Sequence, residues 1–225
     1  EKNMDHRGDD AVWDTEIGRG RPSWNIQDPA MVTKHLGYEI DINCGGIDNI
    51  YRHHDYNVAV MEAYSGKEFA HYYLHGAHLI VEGKTMSKSK GNILYPEDVF
   101  AKGYEPHHLR FFLISTYYRK KLNFTWERMK KSSARLDSFR ALARRLITPT
   151  SNGGDDARVR EAAGKVPRLF QENMDNDLRL GDAFDAVEKE LQQVERATGG
   201  LVGSSAASEL EESLKRIDTV FEFVF

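Results

Sequence analysis

Seven residues, Lys84-Thr85-Met86-Ser87-Lys88-Ser89-Lys90, place three lysines and two serines between Gly83 and Gly91. A loop with glycine at both ends bends readily. Its ammonium groups and hydroxyls can then close on a polyphosphate. Lysine serves there as a mobile point charge against negative charge that develops on a departing group. On composition alone, a solvated basic loop is the other reading. A second basic feature runs from Arg119 to Arg145, with ten Lys/Arg against only Glu127 and Asp137. Such a stripe suits phosphate attraction, and a solvated helix face is its alternative.

Regular elements must carry both features. Leu79-Ile80-Val81 reads as a buried strand ending at Glu82-Gly83, which delivers the lysine loop. Ile40-Asp41-Ile42-Asn43 reads as a short strand running into the turn Cys44-Gly45-Gly46-Ile47-Asp48. Asp28-Pro29 is expected to open a helix, as a side-chain cap followed by Pro at the first helical position, and Gly37 to close it. His54 to Tyr64 suits a second helix, stopped near Gly66. Beyond Trp126 the chain turns helical. Met129, Leu136, Phe139, Ala143 and Leu146 recur at helical spacing and predict one helix over about 126–147. The stretch 148–156 is rich in breakers. Phe184, Val187, Leu191 and Val194 mark another helix, bounded by Gly199-Gly200, and Leu210, Leu214, Ile217, Phe221 and Val224 a further one. Together these stripes predict a small bundle.

The 225 residues are 40% hydrophobic and 11% aromatic, enough for a packed core. A net charge of -4 makes any nucleic-acid surface local rather than global. With Cys44 alone, an intrachain disulfide and a multi-cysteine metal site are excluded, which fits a reducing cytoplasm. No apolar run approaches the roughly 18 residues of a membrane span, and the first residues lack the apolar core of a secretory signal. Position 1 is Glu rather than Met, so the sequence is expected to be a piece of a longer chain.

Several stretches resemble one family. Met86-Ser87-Lys88-Ser89, extended to Asn92, is similar to the KMSKS loop of class I aminoacyl-tRNA synthetases. Gly20-Arg21-Pro22-Ser23-Trp24-Asn25-Ile26, Asp41 to Asp48, His53-His54, Tyr73-Leu74-His75, Leu109 to Leu113, Leu122 to Thr125 and Met174 to Asp177 resemble stretches of the cysteinyl-tRNA synthetases. The resemblance implies an α/β fold, part of a Rossmann-type nucleotide-binding domain, followed by an α-helical bundle. Residues 1–125 would be the C-terminal half of the catalytic domain and 126–225 the stem-contact region. It implies ATP, with Mg2+, an amino acid and tRNA as partners. Gly45 and Gly46 would let the backbone approach ATP, Asp48 would contact it, and Met86, Ser87, Lys88 and Ser89 would close over it. Lys88, helped by Lys84, would stabilise the leaving pyrophosphate. The family's first loop lysine falls on Thr85, so Lys84 stands one residue early.

The same resemblance exposes departures. Trp24 would line the amino-acid pocket, together with Asp28, His53 and Asn57. The last three stand, in intact register, where the family binds zinc through cysteine, histidine and glutamate. Asp28, His53 and a neutral Asn57 are a poor set for zinc, so no metal is expected. No HIGH-type segment occurs, and His6, His35, His71, His75, His78, His107 and His108 are expected to be surface or packing residues. Two functions follow: a cysteinyl-tRNA synthetase-like ligase whose amino acid is open, or a non-catalytic paralogue that binds ATP, RNA or a protein partner. An aminoacyl ligase acting on a small amine is a variant of the first.

Overall fold

Strands β3 (Ile40–Gly46) and β4 (Ala70–Gly76) pair in parallel, with Ile40 opposite Ala70 and Gly46 opposite Gly76. A parallel pair needs a crossover, and helix α2 (Asp55–Ser65) supplies it. This is the centre of the first of two compact units, Glu1–Gly76 and Ala77–Phe225, in a computed structural model that describes residues 12–87, 91–151 and 157–225. Ahead of β3 come a short hairpin, β1 (Trp13–Thr15) with β2 (Gly18–Gly20), and helix α1 (Trp24–His35). Met61, Phe69 and Ala70 form the buried centre of this unit, with Val32, Ile40 and Val58 against them.

Helix α1 corrects one expectation. It opens at Trp24 with extended Ser23 as its cap residue, and Ile26 and Gln27 donate to the Ser23 carbonyl at 3.0 Å each. Asp28 is therefore inside the helix and caps nothing, and Pro29 sits in its interior. Proline's fixed φ is helical, so what Pro29 removes is the N–H that the Asn25 carbonyl would otherwise accept. Gly37 closes the helix as expected, at φ 97°, donating to Val32 at 3.1 Å. Between β3 and α2 the chain winds through a 3-10 turn (Ile47–Asn49) and a π turn (Ile50–His54). Gly66, at φ 70°, ends α2.

In the second unit, β5 (Leu79–Val81) turns into β6 (Lys84–Thr85) through Glu82 and Gly83 at φ 48° and 75°. Two consecutive positive φ values make this a two-residue turn of the type matched to strand twist. β7 (Leu122–Phe124) runs parallel to β5 on its other side. Helices α3 (Pro96–Phe100) and α4 (Pro106–Ile114) fill the crossover, each with Pro at its first position. Val99, Phe112, Leu122, Phe124 and Met129 are the core beneath them.

Helices α5 (Trp126–Ile147), α6 (Ala157–Asp175), α7 (Leu180–Thr198) and α8 (Ser204–Phe221) form the expected bundle. Every stripe residue named from the sequence is buried. Val224 lies past the end of α8, because Glu222 turns left-handed at φ 52° and the Asp218 carboxylate accepts from the amides of Phe223 and Val224. The stretch Met174 to Asp177 ends α6 and leads toward α7. Packing in this unit crosses residue 125, since Phe111 of α4 belongs to the bundle core.

Helix α6 has no counterpart among the sequence stripes, and Pro167 in its interior shows why. The ring deletes the amide that would bond the Ala163 carbonyl. The Ser213 hydroxyl of α8 donates to that carbonyl instead, at 2.8 Å. Ser213→Ala is expected to cost about 1 kcal/mol, the net worth of one partly buried hydrogen bond. Urea unfolding of the variant measures it directly.

A polar clamp fixes the connection from α6 to α7. The Asp177 carboxylate, on left-handed backbone at φ 60°, accepts from Tyr117, from Tyr118 at 2.8 Å and from Arg119 Nε at 2.7 Å. Arg119 first, then the two phenols, hold Asp177 well below the usual carboxylate range. A depressed folded-state pKa gives stability that is present above the unfolded value and is lost as pH falls. The urea midpoint should therefore drop as pH falls below about 4, and the drop should be smaller in Asp177→Asn.

Candidate functional site

Two helix faces in the first unit bring together most of the residues singled out there. Asn25 Oδ1 of α1 lies 2.9 Å from His53 Nδ1 in the turn before α2. Eight residues further along each segment, Thr33 Oγ1 meets Met61 Sδ at 3.5 Å. The two segments therefore run side by side in the same direction. Asp28, one turn past Asn25, and Asn57, one turn past His53, fall between these two contacts. Trp24 is exposed and faces the His53 ring at 6.3 Å between centroids.

The neighbouring His54 makes a pair that the sequence reading missed. Its Nδ1 is 2.8 Å from His75 Nε2 on β4. Burial, and then the nearby His75, push the His54 pKa down, while the Asp28 charge opposes them. His75 is thus a partner in a polar cluster rather than a bystander. Only the HH dipeptide was legible, because His54 and His75 are 21 residues apart and meet through the β3–α2–β4 crossover.

The glycines of the β3 turn have an intramolecular reason to be glycine. A Cβ on Gly45 would stand 2.5 Å from His54 Cε1, and one on Gly46 would stand 2.6 Å from Asp48 Oδ1. Gly45 thus gives room to the ring that pairs with His75, and Gly46 to the Asp48 carboxylate. Cys44 is exposed and unpaired with any other cysteine.

In the second unit, one side chain closes the lysine loop. Asn92 Oδ1 accepts from the Ser87 amide at 2.9 Å, and its Nδ2 donates to the Thr85 carbonyl at 3.1 Å. The Asn123 side chain holds the preceding turn through the Gly83 amide, at 2.9 Å. Gly91 is left-handed at φ 62°. Lys84 is exposed on β6, and Met86 and Ser87 are partly buried. Lys88 and Ser89, with Lys90, lie outside the described residues.

Neither possible metal set fits a metal. At Asp28, His53 and Asn57 only two groups can ligate a cation strongly, and the third is a neutral amide that is 5% exposed. Tetrahedral zinc takes four ligands, of thiolate, imidazole or carboxylate. Among the described residues, three candidate ligands converge only at His107, His108 and Asp137. There His108 Nδ1 accepts from the Glu105 amide at 3.0 Å, so its Nε2 carries the proton toward Asp137. His107 Nε2 lies 2.6 Å from the Arg140 guanidinium, a cation where a metal would have to sit. Burial, and then Arg140, push the His107 pKa down. This is a helix-start network.

The basic stripe is largely committed within the chain. Arg119 is bound by Asp177, Arg135 by Asp185 and Glu188, Arg145 by Glu195 and Lys131 by Glu127. Arg128 donates to the Asn123 carbonyl, and Arg140 faces His107. Among the described residues, Lys120, Lys121, Lys130 and Arg144 are the exposed members with neither an ion pair nor a side-chain hydrogen bond. The acidic partners on α7 are about 50 residues away, which hid them from a local charge count. No described helix is long and apolar enough to cross a membrane.

The cysteine--tRNA ligase of Solibacter usitatus (strain Ellin6076) is 37% identical over 212 residues, covering 93% of this chain and 45% of that protein. The cysteine--tRNA ligase of Koribacter versatilis (strain Ellin345) is 35% identical over 213 residues, covering 94% and 43%. The one from Brachyspira hyodysenteriae (strain ATCC 49526 / WA1) is 39% identical over 177 residues, covering 78% and 37%. The chain thus spans rather less than half the length of these curated relatives. A solved structure, the ternary complex of Agrobacterium radiobacter K84 agnB2 LeuRS with tRNA and LeuAMS, aligns with TM-score 0.60 at 17% identity, over 82% of this chain and 26% of that one. At that identity the likeness concerns the fold, here α/β followed by helices. The family model described as the tRNA synthetases class I (C) catalytic domain matches residues 3–134. That is more than half of the sequence, and the chain belongs to this family of class I (C) tRNA synthetase catalytic domains.

Proposed function

We propose that the chain supplies the ATP side of a cysteinyl-tRNA synthetase-like ligase. The observation that carries this reading is the Asn92 clamp, which holds both the Thr85 carbonyl and the Ser87 amide at the foot of the lysine loop. The clamp ties Asn92, after the lysine-bearing stretch, to Thr85 and Ser87 before it. In the reaction, a carboxylate oxygen of the amino acid attacks the α-phosphorus of ATP. The bond to the bridging oxygen breaks, and pyrophosphate leaves with its electron pair. Lys88, with Lys84 or Lys90, meets the charge on that leaving group. Gly45, Gly46 and Asp48 are the first unit's nucleotide contacts in this reading, and Met86, Ser87 and Ser89 are the second unit's. Mg2+ accompanies the triphosphate, as is usual for phosphate-bearing substrates.

Residues 1–125 serve nucleotide and amino acid in this reading, and 126–225 approach the tRNA. Lys130 and Arg144 in that region, with Lys120 and Lys121 just before it, are the cations available for that contact. The internal pairing of the other basic residues favours a second reading, in which the acceptor is a small amine instead of tRNA. Loss of the family's metal-ligand chemistry at Asp28 and Asn57 favours a third, a non-catalytic paralogue that binds ATP, RNA or a protein partner.

Amino-acid-dependent ATP–pyrophosphate exchange by the natural protein, offered each standard amino acid in turn, tests the proposal. Exchange with one or a few amino acids is expected. ATP binding without exchange for any of them selects the non-catalytic reading.

A further inference from the structure

We infer that the Asp28, His53 and Asn57 side chains between α1 and the start of α2 take an amino acid whose side chain ends in nitrogen donors, and bind it without metal. The inference rests on the ligase reading and names the substrate class of that same site. The side chains between the Asn25–His53 and Thr33–Met61 contacts are acceptors in search of donors. Asn57 is 5% exposed, and its Oδ1 has no hydrogen-bond partner. Asp28 is partly buried and has no hydrogen bond or ion pair among the described residues; the group its charge acts on is His54. An ionised carboxylate only accepts, and an amide oxygen accepts twice. The His53 Nδ1 is already held by Asn25.

A thiol is a poor match for this lining. It is a weak donor and a weak acceptor, and its strong recognition partner in proteins is a soft metal ion. Asp28 and a neutral Asn57 are a poor pair of ligand types for zinc, as set out above. A buried amide oxygen left without a donor is unfavourable. A side chain ending in ammonium, guanidinium or amide supplies two or more N–H groups. It can reach the Asn57 oxygen and the Asp28 carboxylate together, and the cationic members also gain from the Asp28 charge. Sites built to donate to or accept from a polar substrate group reject analogues that lack it by large factors. Discrimination against cysteine of about 10²-fold or more follows.

The experiment is pyrophosphate exchange with lysine, arginine, asparagine, glutamine, cysteine and serine, run on the natural protein with and without 1,10-phenanthroline. Its zinc content is measured by inductively coupled plasma mass spectrometry. The expected result is exchange with a nitrogen-bearing amino acid, unaffected by the chelator, in a protein with far less than one zinc per chain. Asp28→Asn, a change at a partly exposed position, should raise KM for a cationic amino acid about 10-fold while KM for ATP stays fixed. Should the substrate instead be asparagine or glutamine, Asn57→Ala carries the expected rise, with circular dichroism to establish that it folds. Preference for cysteine, or stoichiometric zinc with chelator-sensitive exchange, overturns the inference and leaves the ligase reading standing. Exchange with none of the standard amino acids overturns both.

Discussion

Lys88→Ala is expected to lower amino-acid-dependent ATP–pyrophosphate exchange by about 10²–10³-fold, the usual loss when one preorganised donor to a developing oxyanion is removed. KM for ATP should change far less. The reason is the timing of the charge. Ground-state ATP already has its charges shared with Mg2+ and solvent, whereas the leaving pyrophosphate gains charge as the bond breaks. An interaction stronger in the transition state than in the ground state acts on kcat. The Ser87 amide, one position before Lys88 in the sequence, is fixed by Asn92. A lysine side chain then supplies reach and a compact charge. Unchanged exchange in Lys88→Ala, in a variant with the wild-type unfolding midpoint, would remove Lys88 from the mechanism.

Gly181→Ala is expected to be the most destabilising single-methyl change in the second unit, at about 3 kcal/mol, the upper part of the usual range for overpacking. Gly181 lies in the first turn of α7, and a Cβ there would drive into the Ser115 carbonyl oxygen, well inside van der Waals contact. Neither side yields easily. Ser115 ends α4 with its amide bonded to Phe111 at 3.0 Å. Gly181 is held from the other direction by the Asp177 clamp and by Phe184, buried against Phe111 and Phe139. Relief therefore requires α4 and α7 to separate at Phe111, which sits in the bundle core. Urea unfolding of the second unit's helices by circular dichroism reads the loss. A change under about 0.5 kcal/mol, the scale of ordinary surface substitutions, would contradict this account of the α4–α7 contact.

The helices most legible in the sequence were those with large apolar side chains at regular spacing and a polar start. Helix α5 fits both conditions, since Thr125 accepts from the Arg128 amide at 3.1 Å just before the stripe begins. Helix α6 fails the first. Its buried face is Val159, Ala162, Ala163 and Val166, small residues interrupted by Gly164 and followed by Pro167, and the carbonyl that Pro167 leaves unpaired is met by Ser213 from another helix. The start of α1 was misplaced because Asp28-Pro29 carries a stronger local signal than Ser23, while burial of Pro29 inside the helix is decided by packing. The site divides in the same way. The lysine loop and the Gly45-Gly46 turn are local, and their residue order was enough to find them. The Asn25–His53 and His54–His75 pairs join residues 28 and 21 apart, so only the fold reveals them. The basic stripe erred in the opposite direction, since its charge was local but its acidic partners were not.

The account stands or falls on whether this ATP side makes an adenylate. Incubating the natural protein with ATP labelled at the α-phosphate, an amino acid mixture and pyrophosphatase, and resolving the products by mass spectrometry, tests this directly. The account predicts an aminoacyl-AMP species, with AMP as its hydrolysis product, formed only when amino acid is present and lost in Lys88→Ala. Conversion of ATP to ADP, or recovery of intact ATP with every amino acid offered, would contradict it.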